Sequence, residues 1–227
     1  MAFNVFLNST MPTYSALTPE TLEAQLRAED ALLTGHFKLS SGLHSDTYVQ
    51  CARFLRKPEL AAPACATLAA QLRAAGLQPD VVVGPAMGGI VIGYELARQL
   101  AVPGIFTERD AVGNMTLRRG FILEKGDKVV IAEDVVTTGK STLEVAKVLT
   151  GLGAEVLAVA SLIDRTGGTT DLPFPHFALL DVNAAVFAAD AVPAHLAGVP
   201  AVKPGSRPEI VACFWLLVSG FLFFASS

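Results

Sequence analysis

Charged residues are scarce in this sequence. Asp, Glu, Lys and Arg make up 17% of the 227 residues, against an average near 25% in globular proteins. Apolar residues make up 52%, which excludes a disordered chain and leaves ample material for a buried core. The net charge of −4 argues against a broad nucleic-acid-binding face, but it is compatible with a small basic site for phosphate.

Cysteines are also few. Cys51, Cys65 and Cys213 are odd in number and scattered, so they form neither a disulfide framework nor a metal-ligand spacing. This pattern indicates a reducing compartment, and we expect a cytoplasmic protein. The four histidines likewise show no ligand spacing, and we expect them to be structural rather than metal ligands.

The two ends of the chain differ from the rest. Residues 1–17 lack the basic patch and long apolar run of a secretory signal, and they are interpreted as an N-terminal extension. Residues 210–227 form an uncharged apolar tail, slightly shorter than the ~20 residues that span a bilayer. The tail is a membrane anchor, a segment packed against the domain, or a read-through artefact. Its length and its missing basic flank disfavour the anchor.

Between the ends, short apolar runs alternate with helix-like segments. The pattern predicts helices over 20–33, 58–75, 90–100 and 141–150, and strands over 81–83, 104–108, 128–132 and 155–163. This alternation requires crossover connections and predicts a mostly parallel sheet covered on both faces. Ligands bind at the carboxyl ends of the strands in such sheets. A Gly113-Asn114 pair predicts a hairpin in the segment 109–120, which we call the flap.

The most informative segment is VVIAEDVVTTGKST, residues 129–142. A strand brings Glu133 and Asp134 to the sheet edge, a loop over 133–139 follows, and Thr138-Gly139 turns into a helix. Backbone N–H groups at the start of that helix can hold a phosphate. Nearby hydroxyls belong to Thr137, Thr138, Ser141 and Thr142. Two carboxylates suit ribose hydroxyls or a metal, so a sugar phosphate satisfies both halves of the segment. The alternative is an acidic strand end followed by an ordinary helix cap.

This segment resembles the phosphoribosyl-pyrophosphate signature of the type I phosphoribosyltransferases. Three further stretches resemble orotate phosphoribosyltransferases in particular: FKLSSGLHSDTYV at 37–49, GPAMGGIVIGYELAR at 84–98 and LIDRTGG at 162–168. The resemblance covers residues 18–209. It implies the type I phosphoribosyltransferase α/β fold, with a central mostly parallel sheet flanked by helices and a small N-terminal hood.

The resemblance also implies site residues. Phosphoribosyl-pyrophosphate binding is expected at Glu133, Asp134, Val135, Val136, Thr137, Thr138, Gly139, Lys140, Ser141, Met87, Gly88 and Arg109. Orotate binding is expected at Thr137, Arg165, Tyr48 and Val49. Catalytic roles are expected for Asp134 and Glu133, on the ribose side, and for Arg109. At Arg165, a guanidinium fork fits a planar carboxylate through two hydrogen bonds.

The departures from the family pattern concern positive charge. Where many members carry Lys, this chain has Ser40 and Gly88, and the flap contains neither Lys nor His. Arg118 and Arg119 are the nearest cations. The groups that should neutralise a pyrophosphate are therefore fewer or relocated. We expect a homodimer in which flap cations reach the neighbouring site.

The reaction implied by the resemblance is transfer of a phosphoribosyl group from phosphoribosyl pyrophosphate to orotate. The products are orotidine 5′-phosphate and pyrophosphate, on the route to UMP. Mg²⁺ is the implied cofactor, held mainly by substrate oxygens rather than by protein ligands. Two alternatives remain open. A purine phosphoribosyltransferase would not need Arg165 as a carboxylate clamp, and a regulator could sense phosphoribosyl pyrophosphate without turnover, although no DNA-binding motif is evident.

Overall fold

The computed structural model describes residues 12–39, 41–169 and 171–204. Packing divides the described residues into two units, one drawn from 12–34 and 47–185 and the other from 35–46 and 186–204. Ser40, Cys213 and the apolar tail 210–227 lie outside the described residues. Within the described ranges, no helix combines the length and apolarity needed to cross a bilayer.

Helices and strands alternate along most of the chain. The helices are α1 Pro19–Ala28, α2 Ala52–Leu55, α3 Pro58–Ala74, α4 Gly88–Leu100, α5 Lys140–Gly151 and α6 Ala194–Ala197. The strands are β1 Leu32–Lys38, β2 His44–Val49, β3 Val81–Pro85, β4 Gly104–Arg109, β5 Met115–Leu117, β6 Lys128–Val136, β7 Glu155–Asp164, β8 His176–Asp181 and β9 Val186–Phe187.

Six strands form the main sheet, in the order β5-β4-β3-β6-β7-β8. All neighbours pair in parallel except β4 and β5, which form the antiparallel hairpin predicted for the flap, with Arg109 opposite Met115. Parallel neighbours need crossover connections, and α4 supplies the one between β3 and β4 and α5 the one between β6 and β7. The predicted α/β class with a mostly parallel central sheet is therefore confirmed.

Apolar clusters cover both faces of this sheet. Along β6, Val130 and Ala132 belong to the cluster that includes α3 and α4, whereas Ile131 belongs to the cluster that includes α5. Successive residues of a strand point to opposite faces. This alternation determines the faces on which Glu133 and Asp134, the next residues of the strand, are presented.

Strand β6 is longer than the sequence pattern predicts. It ends at Val136 rather than at residue 132, and its last residues pair with Ile163 and Asp164 of β7. The acid pair Glu133-Asp134 therefore belongs to a strand and not to the predicted loop. Both carboxylates have a defined direction as a result.

Two helix predictions also need correction. Helix α1 begins as predicted, with the Thr18 hydroxyl accepting a hydrogen bond from the Thr21 N–H, but it ends at Ala28. Asp30 has a positive φ of 50° and the chain enters β1 at Leu32, so the apolar residues that seemed to extend the helix belong to a strand. The sequence also places Leu143 on the same side of α5 as Ala146 and Leu149, but Leu143 is 39% exposed while the other two are buried.

The second sheet has three strands in the order β1-β2-β9. His44 of β2 stands opposite Phe187 of β9, and Phe37 forms a bridge to Val202. Buried His36 approaches His44, with 2.6 Å between Nε2 of His36 and Nδ1 of His44. The small hood predicted from N-terminal segments alone thus includes residues from the C-terminal part of the chain.

Candidate active site

The carboxyl ends of β3, β6 and β7 lie side by side because these strands are parallel neighbours. Strand β3 leads to Met87 and Gly88, β6 leads to the loop 137–139, and β7 leads to Arg165. The Arg165 N–H donates to the Val136 carbonyl at 2.8 Å. The structure therefore brings three of the predicted site segments to one edge of the sheet.

Asp134 lies directly against Gly88. A Cβ atom added to Gly88 would stand 2.6 Å from Oδ1 of Asp134 and 2.8 Å from Oδ2, closer than real Cβ contacts come. Oδ1 also accepts the Val135 N–H at 2.9 Å, and burial raises the pKa of Asp134. The glycine found where many family members carry Lys has a steric reason here, since it leaves room for this carboxylate.

The loop from β3 to α4 packs backbone against backbone. A Cβ on Gly84 would lie 2.1 Å from the Gly89 carbonyl oxygen, and a Cβ on Gly89 would lie 2.7 Å from the Ala132 carbonyl oxygen. Only glycine permits approaches this close. The loop therefore lies on β6 with Gly88 beside the carboxylate, while Met87 is 82% exposed.

Glu133 is directed to the other face of β6, because successive strand residues alternate. Its side chain is buried, and Oε1 accepts hydrogen bonds from the Ser141 hydroxyl at 2.7 Å and the Thr142 hydroxyl at 3.2 Å. The two acids lie on opposite faces of the sheet. Asp134 borders the Gly88 loop, whereas Glu133 ties β6 to the first turn of α5. This differs from the expectation that both carboxylates face a ribose and that these two hydroxyls face a phosphate.

Burial raises the pKa of Glu133 to about 7, and the neighbouring Asp134 acts in the same direction. The hydrogen bonds from Ser141 and Thr142 oppose the shift. At neutral pH a large fraction of Glu133 therefore carries a proton. A protonated carboxyl can still accept both hydroxyl hydrogens through its carbonyl oxygen.

We expect the Glu133→Gln variant to lose a pH dependence of stability. The pKa of Glu133 in the folded state, about 7, lies above the ordinary 4.5. Its contribution to the free energy of unfolding is therefore largest below pH 4.5 and is lost as the pH rises to about 7. The difference in unfolding free energy, wild type minus variant, should fall by about 3 kcal/mol across that window. Urea denaturation at several pH values measures it. A difference that stays constant with pH would contradict the assignment.

The loop before α5 has the strand–loop–helix geometry that the sequence predicts. Thr137 and Thr138 are exposed, and Gly139 takes a positive φ of 69° that suits glycine. Helix α5 then begins at Lys140. Its first turn presents backbone N–H groups and the positive end of the helix dipole toward this loop.

The flap cations bond within their own chain. Arg109 donates to Oε2 of Glu144 at 2.5 Å and to a carbonyl oxygen of the flap turn at 2.7 Å. Arg119 pairs with Glu108 at 2.8 Å, and Arg118 lies 3.9 Å from the same carboxylate. Sequence reasoning treated these arginines only as partners of pyrophosphate and did not identify the acids. No local pattern could have found Glu144, which lies in a different element.

Tyr48 and Val49, the predicted base contacts, end β2 and are half-buried. Two residues later, the buried Cys51 donates from Sγ to the Asp134 carbonyl oxygen at 3.7 Å. Burial raises the pKa of the Cys51 thiol well above its usual range, so the group stays protonated. The sequence interpretation missed this contact because it considered cysteines only as disulfide or metal candidates.

The comparisons with known proteins agree with this geometry. The family model "Phosphoribosyl transferase domain" matches residues 54–191. The chain therefore belongs to the phosphoribosyltransferases, a class of glycosyl-transferring enzymes. Within that family it groups with the orotate phosphoribosyltransferases, as the four sequence motifs predicted.

The relatives that establish this grouping cover most of the chain. The orotate phosphoribosyltransferase of Carboxydothermus hydrogenoformans is 52% identical over 177 residues, 78% of this chain and 92% of the relative. That of Sphingopyxis alaskensis is 49% identical over 193 residues, 84% of this chain and 98% of the relative. The crystal structure of orotate phosphoribosyltransferase from Aeropyrum pernix aligns with a TM-score of 0.59 at 27% identity, over 71% of this chain and 93% of that one.

Proposed function

We propose that this protein transfers the 5-phosphoribosyl group from phosphoribosyl pyrophosphate to orotate, forming orotidine 5′-phosphate and pyrophosphate. The observation that carries the proposal is the position of Arg165, beside the phosphate loop at one sheet edge. A guanidinium there fits the planar carboxylate of orotate through two hydrogen bonds. Purine bases have no carboxylate, so Arg165 favours orotate over the purine alternative.

The phosphate and the ribose would be bound by β6 and α5. Backbone N–H groups at the first turn of α5, with the exposed Thr137 and Thr138, would hold the 5′-phosphate. Asp134 would accept hydrogen bonds from ribose hydroxyls, and its charge would favour the cationic anomeric carbon of the transition state. Glu133 would support both tasks by fixing α5 to the strand.

The base and the leaving group would lie on either side of that ribose. Tyr48 and Val49 would pack against the pyrimidine while Arg165 holds its carboxylate. The exposed loop at Met87-Gly88 would bind the pyrophosphate through its backbone. The protein would accelerate transfer mainly by aligning the base nitrogen with the anomeric carbon.

Mg²⁺ is the cofactor we propose. Asp134 fits it, because its carboxylate lies at the carboxyl end of the sheet against Gly88 and supplies the oxygen ligands that Mg²⁺ prefers. Among the described residues, no group of three His, Cys, Asp or Glu side chains could hold a metal ion. Most ligands would therefore come from substrate oxygens. When bound, Mg²⁺ would neutralise charge on the pyrophosphate.

The cytoplasm is the location we propose. Cys51 and Cys65 are buried thiols outside any disulfide, which suits a reducing compartment. Cys213 and the tail 210–227 lie outside the described residues, so the three interpretations of the tail stay predictions.

A pyrophosphate-release assay tests the proposed reaction. The purified full chain is given phosphoribosyl pyrophosphate and Mg²⁺ with orotate, adenine, hypoxanthine or no base. We expect release only with orotate, and its loss when EDTA removes the metal. Release with a purine alone would favour the purine alternative. Binding of phosphoribosyl pyrophosphate without release in any mixture would favour the sensing regulator.

We also propose a homodimer formed through an apolar face on α4 and the residues after the flap. Val91, Tyr94 and Ile122 are 47%, 68% and 78% exposed. Val91 and Tyr94 line a cavity of about 300 Å³ together with Phe106 and Phe121. Contiguous exposed apolar surface of this kind marks an interaction site, and a second copy of the chain is the partner that the predicted exchange of flap cations requires.

Two experiments test the dimer and the exchange of cations. Sedimentation should give a dimer for the wild type and a monomer for Tyr94→Asp. Mixing an Arg109→Ala chain with an Asp134→Asn chain should restore activity if Arg109 acts across the interface. An exposed ion pair such as Arg109–Glu144 is worth about 0–1 kcal/mol, so exchange of partners costs little. A fully active monomer, or no recovery in verified heterodimers, would count against the exchange.

A further inference from the structure

Three side chains on β7 and β8 form a continuous chain of contacts that ends next to Arg165. His176, the first residue of β8, has Nε2 at 2.9 Å from the Ser161 hydroxyl oxygen and Nδ1 at 3.5 Å from Oδ2 of Asp164. The parallel pairing of the two strands brings these groups together. None of the three was selected by the motif reasoning.

The protonation state of His176 decides which atom is the donor in each of these contacts. Burial lowers the pKa of His176, while Asp164 and Asp181 act in the opposite direction, so the ring is neutral at pH 7. The single ring proton belongs on Nδ1, which faces the Asp164 carboxylate. Nε2 is then an acceptor for the Ser161 hydroxyl at 2.9 Å, a shorter contact than the 3.3 Å from the same hydroxyl to the Ile163 carbonyl oxygen.

The order Ser-His-Asp is that of a nucleophilic triad, but Ser161 cannot serve as a nucleophile. It is 0% exposed and lies in β7, which is paired with a strand on each side. No substrate can reach its hydroxyl. Ser161 instead holds the His176 ring in place, and His176 in turn contacts Asp164 at the carboxyl end of β7.

Asp164 organises the turn that carries Arg165. Its Oδ1 accepts the Thr166 N–H at 2.6 Å, and its carbonyl oxygen accepts the Val182 N–H at 2.8 Å. The chain is thus held immediately before and after Arg165. The first of these bonds requires a fixed orientation of the carboxylate, and His176 contacts its other oxygen.

We propose that His176 is a positioning residue for recognition of the orotate carboxylate: it orients Asp164, Asp164 holds the turn, and the turn presents Arg165. The inference rests on the proposed function of Arg165. If the turn were less rigid, the Arg165 guanidinium would sample more positions and orotate would bind more weakly. The groups on β6 and α5 that would bind phosphoribosyl pyrophosphate would be unaffected.

Two isosteric variants separate the contacts of His176. In His176→Asn the amide nitrogen replaces Nδ1 and keeps the donor to Asp164, whereas in His176→Gln it replaces Nε2 and keeps only the contact with Ser161. We expect His176→Asn to hold the KM for orotate within about twofold, and His176→Gln and His176→Ala to raise it about tenfold, because these two lose the 3.5 Å polar contact with the Asp164 carboxylate. The KM for phosphoribosyl pyrophosphate should not change in any of them.

Amide hydrogen exchange provides a readout independent of activity. The Thr166 amide should exchange slowly in the wild type and in His176→Asn, and faster in His176→Gln and His176→Ala. Equal behaviour of the Asn and Gln variants, or a parallel rise in both KM values, would overturn the proposal. A wild-type protein that shows no turnover with orotate would overturn the proposed function as well. An unchanged orotate KM in His176→Gln beside a raised one in Arg165→Ala would overturn the positioning role alone.

Discussion

The Arg165→Ala variant is expected to raise the KM for orotate by about 30- to 900-fold. The change removes two charge-assisted hydrogen bonds to a carboxylate, a loss of about 2–4 kcal/mol. The KM for phosphoribosyl pyrophosphate should hardly change, since its proposed contacts lie on β6, α5 and the Gly88 loop. Steady-state kinetics with each substrate varied in turn measures both values.

The Arg165→Lys variant is the matched control for this prediction. Lysine keeps the positive charge but lacks the planar fork that donates hydrogen bonds to both carboxylate oxygens. Its orotate KM should therefore lie between those of the wild type and the alanine variant. Equal losses of affinity for both substrates in Arg165→Ala would count against a carboxylate clamp.

The Asp134→Asn variant is expected to lower kcat by about 100-fold or more while the fold stays intact, the range typical of removing one well-placed electrostatic group. Asparagine has nearly the same shape as aspartate and fits the space beside Gly88. What it lacks is the negative charge that would face the anomeric carbon. Because burial raises the pKa of Asp134, the neutral amide should leave the Tm unchanged or higher.

Glu133→Gln provides the control within the same strand. It also removes one buried carboxylate, but on the face of β6 that contacts α5. We expect a much smaller effect on kcat, because that side chain is hydrogen-bonded to Ser141 and Thr142. Equal losses of kcat in the two variants, or an unchanged kcat in Asp134→Asn, would show that the division of the acid pair has no functional meaning.

The central sheet was predictable because its signals are local. Apolar runs such as Val81–Val83 and their alternation with helices are visible in short windows, and the parallel class follows from the connections. The extension of β6 to Val136 was not predictable in this way. Glu and Asp are rarely buried and disfavour strands, and only pairing with β7 keeps the ladder intact beyond residue 132.

The candidate site shows the same division. Sequence motifs identified the segments around Gly88, Asp134 and Arg165, because each motif is a short continuous stretch of the chain. Contacts between elements had no such signal. The bond from Arg109 to Glu144 and the contact of His176 with Asp164 depend on which strands and helices become neighbours, and this is decided by the whole fold.

The contact between Gly88 and Asp134 restricts how this loop can change. A lysine at position 88, as many family members carry, would place its Cβ on the Asp134 carboxylate. A single substitution therefore cannot turn this loop into the lysine-bearing form without displacing the carboxylate. A graft between the two forms must carry the loop together with the end of β6. Along an evolutionary path, too, gain of the positive charge would require the Asp134 side chain to move, whereas its loss would meet no such obstacle.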